Sequence, residues 1–106
     1  MGDPYYEIEG NISGRLSFND SPFLVKNDIF VQLSDTLLID AGVYIYFEQD
    51  KRLNIEGVII ARGESNKPIF FRTYNEGTWS GISIKNSPEV CEFRYCIVQQ
   101  VLQPRF

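Results

Sequence analysis

Apolar residues in this chain come in short runs, each closed by polar or glycine-bearing residues. Phe23-Leu24-Val25 is followed by Lys26-Asn27-Asp28, and Ile29-Phe30-Val31-Gln32-Leu33 alternates before Ser34-Asp35. Leu37-Leu38-Ile39 ends at Asp40-Ala41-Gly42, and Val43-Tyr44-Ile45-Tyr46-Phe47 ends at Glu48-Gln49-Asp50. Leu53-Asn54-Ile55, Val58-Ile59-Ile60-Ala61, Ile69-Phe70-Phe71-Arg72-Thr73 and Gly81-Ile82-Ser83-Ile84 follow, with Cys91 to Val98 last. The runs are too short for helices, and the alternating ones have the two-residue period of a strand with one face buried. Val90, Phe93, Ile97 and Val101 recur at helical spacing, but the β-branched and aromatic content around them predicts strand through Val98.

How the strands connect is legible in the turns. Asn-Gly and Asp-Gly, the strongest hairpin signals, do not occur. A near-repeat does: Leu37-x-Ile39 then Gly42-Val43-x-Ile45, and later Leu53-x-Ile55 then Gly57-Val58-x-Ile60. Units recurring at some tens of residues predict strands stacked on like-directed strands. Grouping by threes gives one coil from 29–33, 37–39 and 43–47, a second from 53–55, 58–61 and 68–73, and a third from 81–84 and 93–98. Ile29, Val31 and Leu33 then stack on Leu53 and Ile55, and Val43, Ile45 and Phe47 lie near Ile69 and Phe71. For 58–61, Val58/Ile60 and Ile59/Ala61 are both possible inward sets. Gly42, Gly57, Gly63 and Gly81 fall at strand boundaries, where a corner needs positive φ or close backbone approach. Asn54, Asn66, Asn75 and Asn86 read as turn residues. Trp79 reads as a corner-packing residue. Residues 1–22 are expected to form a cap, 23–98 the coils, and 99–106 a tail or truncation point of one domain.

Composition agrees with a β protein. Val, Ile, Phe, Tyr and Trp make up 34 of 106 residues, whereas Ala occurs twice. The chain has no histidine and a formal net charge of −4, with its basic residues scattered. That argues against nucleic-acid binding and removes the commonest general base and zinc ligand. No run is long enough to span a membrane as a helix, and no cofactor is implied. Cys91 and Cys96 are too few for a disulfide framework. In one continuous strand they point to opposite faces about 16 Å apart, which predicts buried thiols more than a bridge.

At these residues the chain resembles the right-handed parallel β-helix proteins of bacterial surfaces and secretions, the pectate-lyase-like superfamily. The matching stretches run from Ser21-Pro22-Phe23-Leu24-Val25 through Thr36-Leu37-x-Ile39-x-x-Gly42-Val43 and Ile55-x-Gly57-x-Ile59-x-Ala61-x-Gly63. Lys67-Pro68-Ile69-x-Phe71, Trp79-x-Gly81-Ile82 and Phe93-x-Tyr95-Cys96-x-Val98 complete them. Asp40-Ala41 stands where that family commonly has Glu-Pro. The resemblance implies an all-β, short right-handed parallel β-helix of about three coils and an extracellular or cell-surface setting. It implies no single activity.

Asp28, Asp35, Asp40, Glu48 and Asp50 lack the dense spacing of a calcium loop and read as turn chemistry. With Ile45 and Phe47 inward, Tyr44 and Tyr46 point outward beside Phe70 and Arg72, an aromatic surface for a sugar or a partner protein. Val98, Val101, Leu102 and Phe106 do not make a polar cap, so the last coil's edge is expected to be open, and the chain to be either the N-terminal portion of a longer protein or a unit that pairs end to end. The leading expectation is a non-catalytic structural and interaction module of a secreted or cell-surface protein, binding glycan or self-associating through its coil edge or aromatic face. The alternatives are the front part of a carbohydrate-active enzyme, a polysaccharide lyase or glycoside hydrolase, and a cytosolic self-assembling scaffold.

Overall fold

The computed structural model describes residues 5–75, 77–85 and 91–101. Among the described residues, eleven short strands and one 3-10 turn at Phe18–Asp20 make up the regular structure. In order the strands are β1 (Tyr6–Asn11), β2 (Gly14–Leu16), β3 (Phe23–Val31), β4 (Thr36–Ile39), β5 (Tyr44–Phe47) and β6 (Arg52–Ile55). They continue as β7 (Val58–Arg62), β8 (Ile69–Thr73), β9 (Gly81–Ile84), β10 (Glu92–Arg94) and β11 (Cys96–Val98). The fold is all-β, and every pairing between these strands is parallel.

The pairings fall into three columns. The first runs from the start of β1 through the start of β3 to β5, β8 and β11. The end of β1, the end of β3, β6 and β9 form the second. The third is β2, β4, β7 and β10. Strand β3 therefore belongs to two columns: Phe23–Val25 pair with β5, while Ile29–Val31 pair with β6.

Alternation along each strand sends one apolar row inward, where rows from successive strands meet. Ile29 faces Leu53 and Val31 faces Ile55, while Ile45 faces Phe71. Among 58–61 the inward pair is Ile59 and Ala61, both fully buried, opposite Leu37 and Ile39. The core is almost entirely aliphatic and aromatic, with Thr73 its buried polar member.

Four expectations are corrected. Leu33 is 56% exposed and outside β3. The chain turns at Gln32, where Asp35 N–H donates to the Gln32 carbonyl, and Ser34 takes φ +91°, so alternation stops two residues early. Lys26-Asn27-Asp28 does not end a strand but joins the two halves of β3. Asn54 is a strand residue whose side-chain amide donates to the Ile29 carbonyl at 3.3 Å. The stretch 92–98 is extended but broken, because Tyr95 adopts φ +50° between β10 and β11. Cys91 and Cys96 therefore do not share a continuous strand, and they form no disulfide. Val90, Asn86 and the tail beyond Val101 lie outside the described residues.

Within the expected 1–22 cap, β1 lies along β3 and β2 along β4, both as parallel strands. Glycines hold the corners in two ways. Gly42 and Gly81 take φ +81° and +88°. Gly57 and Gly63 instead sit where a side chain has no room: a Cβ on Gly57 would lie 2.3 Å from the carbonyl oxygens of Gln32 and Asp35. One on Gly63 would lie 2.6 Å from the Tyr95 carbonyl oxygen.

The acidic side chains are used in the turns. Asp28 accepts from Arg52 N–H at 2.9 Å. Asp40 takes two bonds from Arg15, at 2.7 and 3.1 Å, and a third from Phe18 N–H at 3.0 Å. The Arg15 hydrogen bond, helped by Phe18 N–H, holds the Asp40 carboxyl below its ordinary 3.8 against a smaller opposing effect of burial. A carboxylate with a depressed value stabilises the fold above the ordinary carboxylate range, and that stability is lost as pH falls through the depressed value. Asp40→Asn is therefore expected to flatten the acid limb. The melting temperature of the parent should fall more steeply than the variant's between about pH 5 and pH 2, as followed by circular dichroism.

Candidate functional surface

The side chains predicted to face outward do come together. Tyr44 lies opposite Phe70 and Tyr46 opposite Arg72 in the β5–β8 ladder. The Tyr44 and Phe70 rings stack with centroids 4.5 Å apart and planes 12° from parallel. That separation is close to the ~4.8 Å between neighbouring strands, so the rings pile along the column as the backbone does. Tyr46 continues the row, 6.1 Å from Tyr44 at 22°. Its flank is closed by the edge of Tyr5, which also meets Tyr74 at 5.2 Å. Burial, followed by the neighbouring Tyr5, pushes the Tyr46 phenol up, with Arg72 pulling the other way.

The arrangement is a ridge rather than an open platform. Tyr44 and Phe70 each turn one face to the other, and Tyr44 is 37% exposed. Tyr5 was not anticipated as part of it. Its position depends on β1 pairing with β3, and nothing in the pattern of 1–22 announces that pairing. Arg72, opposite Tyr46, has its Nε buried with no hydrogen-bond partner among the described residues.

Trp79 belongs to the core. It is fully buried, stacks on Phe47 with centroids 3.9 Å apart, and donates its indole N–H to the Gln99 carbonyl at 2.7 Å. The Cys96 thiol is half-buried near the Ala61 carbonyl, and burial pushes it up, away from thiolate chemistry at neutral pH.

A second surface lies at the end of the columns. In β6, β7 and β8 the inward residues Leu53, Ile55, Ile59, Ala61, Ile69 and Phe71 are at most 1% exposed. One strand further along, the same inward rows are open: Ile84 is 49% exposed, Val98 47% and Phe93 37%. They line an apolar depression together with Ile82, Tyr95 and Cys96. Among the described residues, no three His, Cys, Asp or Glu side chains gather as a metal site. No described helix is long and apolar enough to cross a membrane.

No known protein family, curated protein or solved structure matches this chain.

Proposed function

We propose that this chain is a short right-handed parallel β-helix serving as a non-catalytic structural module that works by strand-to-strand association, in the secreted or cell-surface setting its resemblance implies. The three parallel columns support the coiled path, and parallel crossovers are right-handed in about 98% of proteins. The observation that carries the association is the contrast between inward rows sealed through β6–β8 and the same rows open at β9–β11. Stacked strands bury their apolar row only against neighbours, so an unsealed last layer is a contact surface. Sedimentation equilibrium is expected to show the weight-average mass rising above the 12.2 kDa of one chain as concentration increases. Ile84→Lys with Val98→Lys should hold it at one chain mass. Monomeric wild type at the highest concentrations would remove the proposal.

Glycan contact at the ridge is a second reading, favoured by the exposed Tyr44 and by Arg72, which lies opposite Tyr46 in the same ladder. With one face of each ring taken up by the other, a sugar is held there by hydrogen bonds more than by stacking. Tyr44→Phe keeps the stack and removes the hydroxyl. On a glycan array it is expected to weaken any wild-type signal about 3- to 10-fold, the worth of one hydrogen bond, without changing the melting temperature. An array blank for wild type ends this reading and leaves the first intact.

A further inference from the structure

We infer that the association is polar: copies stack head to tail, β9, β10 and β11 of one chain continuing onto β1 and β2 of the next. This rests on the self-association reading and specifies its partner as a second copy in one orientation.

The same three columns run through the described residues from first strand to last. At one end the columns finish in β11, β9 and β10; at the other they begin with the two parts of β1 and with β2. All run in one direction, so a head-to-tail arrangement extends all three columns with the parallel pairing used throughout the fold. A twofold, tail-to-tail contact reverses the strands and places each end against its own likeness.

Extending each ladder by one step fixes which residues meet, and the matches are complementary. Val98 of one copy falls opposite Tyr6 of the next, because Tyr6, Phe23, Ile45, Phe71 and Val98 occupy one row. These are among the most exposed large apolar side chains, Tyr6 at 55% and Val98 at 47%. Ile82 falls opposite Gly10, which has open space where a Cβ would stand. Phe93 meets Leu16. On the outward row of the third column, Glu92 comes opposite Arg15, each already ion-paired within its own chain, to Arg62 and to Asp40. Large meets small, and apolar meets apolar.

The backbone edges are available too. Tyr6 N–H donates inward to the Pro22 carbonyl, so the alternate residue Glu7 directs its N–H and C=O away from β3. At the other end Gln99 and Lys85 donate inward to Phe71 and Ile55, leaving the groups of Val98 and Ile84 directed outward.

Two variants blocked at opposite ends test the polarity. Glu7→Pro removes an outer-edge donor at the head, on the side of β1 that pairs with no other described strand, where proline is tolerated. Ile84→Lys with Val98→Lys blocks the tail. Far-UV circular dichroism establishes that both fold. In sedimentation velocity, wild type is expected to form a continuing series of sizes, and each blocked variant alone to stay at one chain mass. An equimolar mixture should form a complex of two chains and stop there, because one good head meets one good tail. A head-blocked variant that still dimerises, or a mixture that stays monomeric, overturns head-to-tail stacking. In the first case the broader self-association reading survives; a wild type that never associates sinks both.

Discussion

Trp79→Ala is expected to lower the stability of the fold by about 3–5 kcal/mol, the range seen when a large aromatic side chain is removed from a core. The indole is fully buried, and two losses coincide when it goes. Phe47 loses the ring stacked on it at 3.9 Å, and the Gln99 carbonyl loses its donor. The neighbouring strands cannot collapse into the gap, because Trp79 is held by backbone pairing to Val101 and Gln100 on the next layer. At about 4–8 °C per kcal/mol for a domain of this size, the melting temperature should fall by more than 10 °C. Trp79→Phe, which keeps the stack and drops the hydrogen bond, should lose roughly a third as much. Urea unfolding of the three proteins checks both. A loss below about 1 kcal/mol for the alanine variant would contradict the packing described for Trp79.

Gly57→Ala is the second large expected effect, about 3 kcal/mol or more, from the addition of a single methyl group. Its cause is not backbone conformation, since Gly57 is not among the positive-φ glycines. The new carbon lands 2.3 Å from two carbonyl oxygens, those of Gln32 and Asp35, which belong to the turn one layer below. Those oxygens are backbone atoms. They cannot rotate away, and the Asp35 carbonyl already accepts from Val58 N–H at 3.0 Å. Overpacking is ordinarily worth about 1–3 kcal/mol, and here relief requires moving two backbone layers apart. Gly10→Ala is the contrasting control. Gly10 sits at φ +74° with nothing within 4 Å of a Cβ, so its variant bears only the left-handed strain of about 1–2 kcal/mol. Equal losses for the two variants would mean that crowding at Gly57 is not the cause.

The parallel columns were legible because the inward rows are nearly pure aliphatic and the corner glycines recur in step with them. Leu37-x-Ile39 and Leu53-x-Ile55, each followed by a glycine and a second row, report strand, corner and strand in order. What alternation cannot report is where the backbone leaves the strand. Leu33 fits the period of Ile29 and Val31 but lies beyond a turn whose Ser34 conformation no polarity pattern encodes. Tyr95 breaks 92–98 for the same reason. The outward positions of Tyr44, Tyr46, Phe70 and Arg72 followed from their strands. Their stacking did not, because it depends on the register between β5 and β8, which loop length sets and side-chain pattern does not. The first strands were harder still. Tyr6-Glu7-Ile8-Glu9 has the alternation of an edge strand, yet Gly10 and Gly14 beside it read equally well as loop.

Strand β3 has a consequence for how the molecule comes apart. Structures built of layers that touch only adjacent layers tend to fray inward from their ends, one layer at a time. Because one uninterrupted run of backbone from Phe23 to Val31 serves two faces at once, those faces cannot peel independently at this level. Slow amide exchange should cluster there as a single block, with β5 and β6 exchanging in concert although no strand pairing joins them directly. The chain thus carries a clamp near its beginning, and loss of order should advance from the opposite end until it meets that clamp.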